Sequence, residues 1–331
     1  MISTDIGIDL GTSNVLIYIK KKGIVLNEPS IVAIEKDTKK VIAVGNEANE
    51  MLGRTPEKVL TIRPLKEGVI ADLEITEIML NEFIKKIKAK KMFTKPRVLI
   101  CCPSNITPIE KEAIKEAAER TGARKVYIEE ESKAAALGAG MEVRKPIANM
   151  VVDIGGGTTD IAVLSLDGIV NSQSIKTAGN EFNQKIINYI KDKYKLLIGE
   201  VTAESIKTTF ANVYKPDSNK KQEIKGRDLI TGLPKLIEIN QEETKKALEE
   251  SIEIITTAII NSLEITPPEL SADIVEKGIV LTGGGALLNG LLEVLEEKLQ
   301  IPVLIASSPL TCVVEGAGIL LDELKQLEEE N

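Results

Sequence analysis

Three short stretches of this 331-residue chain combine carboxylates, hydroxyls and glycines at spacings that suit phosphate chemistry. The first is Asp9-Leu-Gly-Thr-Ser-Asn14, set between the apolar runs 5–10 and 15–19, so it reads as the turn of a β-hairpin. A glycine beside hydroxyl residues in such a turn leaves backbone N–H groups converging on an anion. Asp9 at the strand end has the wrong charge to touch a phosphate, but it can hold the hydration shell of a Mg2+ that bridges phosphates. Taken alone, the same residues suit a plain tight turn. The second stretch, Asp153-Ile-Gly-Gly-Gly-Thr-Thr-Asp160, also joins two apolar runs. One or two glycines would serve a turn; three in a row cost backbone entropy and suggest that something approaches the main chain closely. The third, Gly283-Gly-Gly-Ala286, follows an apolar run at 278–282. Two hairpin turns with matching Asp residues and a third glycine run favour a phosphate clamp between two domains. Neither G-x-x-x-x-G-K-[ST] nor a G-x-G-x-x-G opening a helix is present, so the clamp is not a P-loop or a Rossmann turn.

The elements that must carry these turns follow from hydrophobic periodicity. Residues 31–34 and 41–44 read as a further hairpin, 76–91 as a helix, and 98–102 as a buried strand. Ile109, Ala113, Ile114, Ala117 and Ala118 recur at helical spacing. A second cycle starts at Met150, with a helix around 181–194 and a closing strand at 278–282. The Asp9 turn recurs as the Asp153 turn, and the strand and loop at 98–104 match those at 278–285, which points to an ancient duplication and two similar α/β domains. Residues 216–221 read as a surface loop, and 321–331, with Leu321, Leu324 and Leu327, as a short amphipathic helix or a solvated tail.

Composition removes several alternatives. His is 0, which excludes imidazole-based triads, His-ligated zinc and His proton shuttles, and leaves proton chemistry to carboxylates, hydroxyls and water. A net charge of −8 argues against a general nucleic-acid binder, and Trp 0 with 3% aromatic residues leaves no stacking platform. Cys101, Cys102 and Cys312 lack C-x-x-C spacing and read as buried, reduced thiols of a cytosolic protein. No apolar run is long enough to span a bilayer, and the N-terminus does not read as a signal peptide.

The three turns together resemble the two phosphate motifs and the adenosine motif of the actin-like ATPase superfamily. Finer stretches resemble its MreB family of bacterial actins: Gly23-Ile-Val-Leu-Asn-Glu-Pro-Ser30, Met51-Leu-Gly-Arg-Thr-Pro56, Ile62-Arg-Pro-Leu-Lys-Glu-Gly-Val-Ile-Ala-Asp72, Gly226-Arg-Asp-Leu-Ile-Thr-Gly-Leu-Pro234, Thr266-Pro-Pro-Glu-Leu270 and Pro309-Leu-Thr-Cys312. The match runs essentially end to end. It implies an α/β, actin-like fold of two duplicated RNase H-like domains, with four subdomains around a nucleotide cleft that holds ATP and Mg2+. The first domain would span 1–145 with subdomain IB inserted at about 33–65, and the second 146–315 with subdomain IIB inserted at about 182–245. Residues 316–331 would form a helix returning to the first domain.

The resemblance also implies roles. Gly11, Thr12, Ser13 and Asn14 would line the β- and γ-phosphates from one side, and Gly155, Gly156, Gly157 and Thr158 from the other. Asp9 and Asp153 would hold Mg2+ through water. Glu204 and Lys207 match the family's adenosine-contacting E-x-x-K; on their own they read as an exposed i,i+3 ion pair. Gly283, Gly284, Gly285 and Ala286 would back the adenine and ribose. Counting back from the Ala134-Ala-Ala136 run places Glu131 on the family's catalytic Glu, which orients and polarises the attacking water. Without the family, Glu131 reads as an acid favoured at a helix N-terminus. Ser132 and Lys133 stand where the family carries Pro and an apolar residue. A free φ and a cation beside the acid lead to the expectation of slow or altered hydrolysis.

Head-to-tail self-association into filaments is a further implication, as is attachment to the inner face of the cell membrane. Too few residues precede Asp9 for an N-terminal amphipathic helix, so the expected membrane contact is Lys90-Lys-Met-Phe-Thr-Lys95, with Met92 and Phe93 as an apolar wedge flanked by Lys. The same loop also suits a surface turn with Phe93 folded back. A RodZ-like membrane protein and the cell-wall synthesis machinery are the partners the family suggests. Two rival readings remain: a phosphotransferase of the sugar-kinase type, for which no substrate signature is evident, and a chaperone-type ATPase, which would need a peptide-binding domain after Asn331.

Overall fold

The computed structural model describes residues 5–88, 96–104 and 106–330. The chain divides into two units, one made of Met1–Lys145, Leu166–Ile169 and Leu310–Asn331, the other of Pro146–Ser165 and Val170–Pro309.

A five-stranded sheet runs through the first unit in the order Lys125–Glu130, Arg97–Cys102, Ile6–Leu10, Asn14–Ile19, Gly23–Pro29. The last three form an antiparallel meander, and the first three are parallel. Apolar residues alternate along Ile6–Leu10 and Asn14–Ile19, so Ile6, Ile8, Val15 and Ile17 are fully buried and join Met79, Leu80 and Phe83 of the helix Leu73–Lys88 in one core. That burial supplies the main stabilisation, at about 1.5–3 kcal/mol per large apolar side chain. The strand Val32–Glu35 pairs with Val41–Val44, the expected hairpin, and with Val59–Ile62 in a smaller sheet with its own core of Ile31, Ala33, Ala43 and Ala48. Asp5 and Arg97 form a buried two-bond ion pair, Nε to Oδ1 at 3.1 Å and a terminal nitrogen to Oδ2 at 2.7 Å.

The C-terminal helix is longer than the sequence reading, running Cys312–Glu330. Its first turns hold Gly316, Ala317 and Gly318. In the fold these small residues allow close approach. A Cβ on Gly316 would sit 1.9 Å from the Ala134 carbonyl oxygen, and one on Gly318 would strike the Tyr18 ring at 2.7 Å. Reciprocally, a Cβ on Gly138 would sit 1.9 Å from the Cys312 carbonyl oxygen, so the helices Glu131–Gly138 and Cys312–Glu330 cross backbone to backbone.

In the second unit the sheet order is Gly168–Ile175, Thr159–Ser165, Asn149–Ile154, Ile279–Thr282, Val303–Ile305. Three sequential strands are again followed by two parallel ones, so both sheets share one topology. Met150, Val152, Ile154, Ile161 and Val163 pack against Phe182, Ile186 and Ile190 of the helix Gly179–Tyr194. A smaller sheet of Leu196–Leu197, Lys221–Asp228 and Pro234–Asn240 leads into the helix Gln241–Glu264, whose start is fixed by an Asn240–Glu243 capping box.

Candidate functional site

In the first unit the candidate residues lie at the carboxyl ends of the parallel strands, where ligands of open α/β sheets bind. Asp9, Cys101 and Glu129 stand side by side across Ile6–Leu10, Arg97–Cys102 and Lys125–Glu130, and Glu131 opens the helix that follows the last of these. The charges of Asp9 and Glu131 reach the buried Cys101 thiol: burial first, then these carboxylates, push its pKa well above the usual thiol value. Cys101 is therefore a neutral wall of the site. Glu131 is buried, with 7% of its surface exposed.

The turn Gly11–Asn14 is braced on three sides. The fully buried Ser30 donates its hydroxyl to the Gly11 carbonyl at 2.6 Å, and its N–H donates to the Ser13 carbonyl at 2.9 Å. The Gly68 N–H donates to Thr12 Oγ1 at 3.1 Å, which leaves the Thr12 hydroxyl proton to point elsewhere. Asn14 Nδ2 donates to Asn27 Oδ1 at 2.7 Å. Gly11 is required locally, since a Cβ there would sit 2.7 Å from the Asn14 carbonyl oxygen.

In the second unit Asp153 takes the place of Asp9. It faces Asp160 across the antiparallel neighbour and Thr282 across the parallel one. Thr282 donates its hydroxyl to Asp153 Oδ1 at 2.6 Å. Burial nevertheless raises the Asp153 pKa from 3.8 to about 6; the Thr282 bond opposes the rise, and the Asp160 charge adds to it. The turn that follows directs its carbonyls inward. The Gly179 N–H donates to the Gly155 carbonyl at 3.1 Å and the Asn180 N–H to the Gly156 carbonyl at 2.8 Å. These bonds occupy the first amides of the helix Gly179–Tyr194 and explain why it starts at Gly179 rather than 181.

Glu204 and Lys207 lie on the helix Glu200–Thr209. Lys207 Nζ donates to Glu204 Oε2 at 2.8 Å and to the Gly179 carbonyl at 3.0 Å, and Asn183 Nδ2 donates to Glu204 Oε2 at 2.7 Å. The pair is thus joined to the helix that anchors the glycine turn, and Lys207 is largely buried. The Gly283–Ala286 run lies beside the same turn. A Cβ on Gly283 would sit 2.4 Å from the Ile154 carbonyl oxygen, and one on Gly285 would sit 2.2 Å from Ile154 Cγ2. Both positions thus exclude a side chain on packing grounds, and Gly284 is the exposed member of the run.

The structure thus brings Asp9, Gly11–Asn14 and Glu131 together in one unit, and Asp153, Gly155–Thr158, Glu204, Lys207 and Gly283–Ala286 in the other. Met92 and Phe93 lie outside the described residues. Ser30, Gly68 and Thr282 are bracing residues that the sequence reading left without a role. Ser30 and Gly68 fall inside the family-like stretches at 23–30 and 62–72, and Thr282 is in register with Asp153. Among the described residues no group of three or more His, Cys, Asp or Glu side chains could hold a metal ion directly, and no helix is long and apolar enough to cross a membrane.

The MreB/Mbl protein family model matches residues 3–329. The chain belongs to the MreB/Mbl family. It is 58% identical over 327 residues to the cell shape-determining protein Mbl of Bacillus subtilis, covering 99% of this chain and 98% of that protein. It superposes on the crystal structure of MreB5 of Spiroplasma citri bound to ADP with a TM-score of 0.95 and 41% identity, covering 99% of both chains. MreB5 has also been solved bound to AMPPNP, and that structure matches with a TM-score of 0.94. The MamK double helical filament shares the fold at a TM-score of 0.83 and 23% identity, covering 97% of this chain and 99% of that one. The fold is actin-like, as the MreB-like motifs lead one to expect.

Proposed function

We propose that this chain is a cell-shape-determining bacterial actin homologue that binds ATP with Mg2+, polymerises into filaments and hydrolyses ATP slowly as the filaments turn over. The observation that carries this reading is the repeated frame. Two sheets of one topology each end in an Asp and a braced turn, at Asp9–Asn14 and Asp153–Thr158. Its MreB5 relative has been solved with ADP and with AMPPNP, which supports a nucleotide as the shared ligand.

On this reading the backbone amides of Thr12, Ser13 and Asn14 and the Thr12 hydroxyl hold phosphate oxygens, and the amides of Gly156, Gly157 and Thr158 hold others. Glu204 and Lys207 contact the adenosine, with Gly284, Gly285 and Ala286 behind it. Asp9 and Asp153 would hold Mg2+ through its water shell. A bound cation would supply positive charge to offset the phosphates, and it would favour the ionised form of Asp153, whose pKa is otherwise about 6. Glu131 orients the attacking water at the mouth of the first sheet.

The same reading places the filaments in the cytoplasm on the inner face of the cell membrane, with Met92 and Phe93 as the wedge and a RodZ-like protein and the wall-synthesis machinery as partners. The phosphotransferase alternative is not favoured, because the relatives are cell-shape proteins over the whole chain. Light scattering and electron microscopy with Mg-ATP, Mg-ADP and no nucleotide test the proposal. Scattering should rise above a critical concentration with ATP, and filaments should be visible. Flat scattering under all three conditions would contradict it.

A further inference from the structure

We propose that Lys133 is a positioning residue for Glu131, acting through an ion pair with Asp167; this rests on the reading of Glu131 as the hydrolytic acid. The helix Glu131–Gly138 starts without the usual support. Its N-cap residue, Glu130, makes no side-chain capping bond, and Glu130 Oε2 is buried with no hydrogen-bond partner. The crossing with the helix Cys312–Glu330 fixes it at Ala134 and at Gly138, which leaves Glu131, Ser132 and Lys133 ahead of the contact on Ala134.

A cation in the first turn of a helix opposes the helix dipole, so helix stability does not explain Lys133. Asp167 does. Lys133 Nζ lies 3.7 Å from Asp167 Oδ1, and the Lys133 side chain is only 17% exposed. Asp167 sits in the two-residue turn joining Thr159–Ser165 to Gly168–Ile175, where Leu166 has φ 49° and Asp167 φ 63°. Non-glycine residues at positive φ cost energy and persist only where surrounding contacts hold them. Here the Leu166 N–H donates to the Lys145 carbonyl at 3.1 Å, and the Asp167 N–H donates to the Val143 carbonyl at 2.8 Å.

The hairpin tip therefore holds the Glu131 helix at its start through Lys133 and beyond its end through Val143 and Lys145. The buried Ser132 adds a contact to Ser104 at 3.5 Å between the two hydroxyl oxygens. Together these tethers fix the entry into the helix, the task a proline would otherwise perform through its locked φ. The strand Thr159–Ser165 runs from the glycine turn at one end to this tip at the other.

The test compares Lys133→Gln, Asp167→Asn, Lys133→Arg and the exchanged pair Lys133→Asp/Asp167→Lys in the full chain. A half-exposed pair is worth up to about 1 kcal/mol, so the Gln and Asn variants should each lower kcat for ATP by about two- to fivefold. KM for ATP and affinity for ADP should stay unchanged. Lys133→Arg should keep the wild-type rate, and the exchanged pair should recover most of it. Amide hydrogen exchange at 131–134 should speed up in the Gln and Asn variants. Wild-type kcat and exchange in those variants, or an exchanged pair slower than either single change, would overturn the proposal. Glu131→Gln separates the two levels. If it abolishes turnover while the pair variants change nothing, only the positioning role falls. If it leaves turnover intact, the reading of Glu131 falls and the positioning role with it.

Discussion

Asp9 and Asp153 occupy equivalent places in two sheets of one topology, yet their neighbours differ. The parallel strand beside Asp9 presents Cys101, and the antiparallel one presents Leu16. The corresponding neighbours of Asp153 are Thr282 and Asp160. Asp9 is half-buried and Asp153 is 6% exposed. A duplicated frame has kept the strand order and the carboxylate while the environment of each carboxylate diverged. The fifth strands diverge as well: Lys125–Glu130 leads into Glu131, whereas Val303–Ile305 leads into Ala306 and Ser307. The first sheet therefore carries the candidate hydrolytic acid, and the second carries the carboxylate with the perturbed pKa.

Breaking the difference at the fifth strands should have the largest effect. Glu131→Gln should reduce ATP turnover by about 10²–10⁴-fold while leaving ADP affinity intact, and Ser307→Ala should leave turnover unchanged. Phosphate-release assays beside equilibrium binding measure both.

Asp153→Asn comes next. Because the folded-state pKa of Asp153 is raised to about 6 from 3.8, the native state holds more protons than the unfolded state between those values. Stability without ligand should therefore fall as pH rises through that window, with the penalty fully present above pH 6. Asn at this site should flatten the profile and raise stability at pH 7 by up to about 3 kcal/mol, while weakening Mg-nucleotide binding. Asp9→Asn should weaken binding with a smaller change in stability. Thermal unfolding from pH 4 to 8 separates the two.

A third pair probes the carboxylates' neighbours. Thr282→Val removes the donor to a buried carboxylate and should cost about 1–3 kcal/mol of stability at pH 7. Cys101→Val, close in volume, should cost under about 1.5 kcal/mol. Denaturant titration checks both. The smallest change expected is from Ser30→Ala, which loses one brace of the first turn and should weaken nucleotide binding by about 1 kcal/mol, roughly fivefold. Titration calorimetry with ADP measures it.

Much of this comparison was legible in the sequence, because a hairpin turn announces itself through glycine and hydroxyl residues between apolar runs. The Asp9 and Asp153 turns and their repetition were visible for that reason, whereas Glu131 was placed through the resemblance, by counting back from the Ala134–Ala136 run. The braces were not. Ser30 and Gly68 reach the first turn from strands and loops distant in sequence, at 2.6 Å to Gly11 and 3.1 Å to Thr12. Thr282 meets Asp153 only once two strands are in register. The C-terminal helix starts at Cys312, one turn ahead of the 316–331 that the resemblance implies, and the close packing of Gly316 and Gly318 shows only in the fold. The approach of Gly283 and Gly285 to Ile154 is likewise invisible in a run of glycines, and it comes in addition to the role the resemblance implies for them.

A crystal structure of this chain with AMPPNP and Mg2+ tests the central claim most directly. The account predicts phosphate oxygens within hydrogen-bond distance of the amides of residues 12–14 and of residues 156–158 on the same nucleotide. A nucleotide held by one turn alone, or lodged away from both, would contradict it.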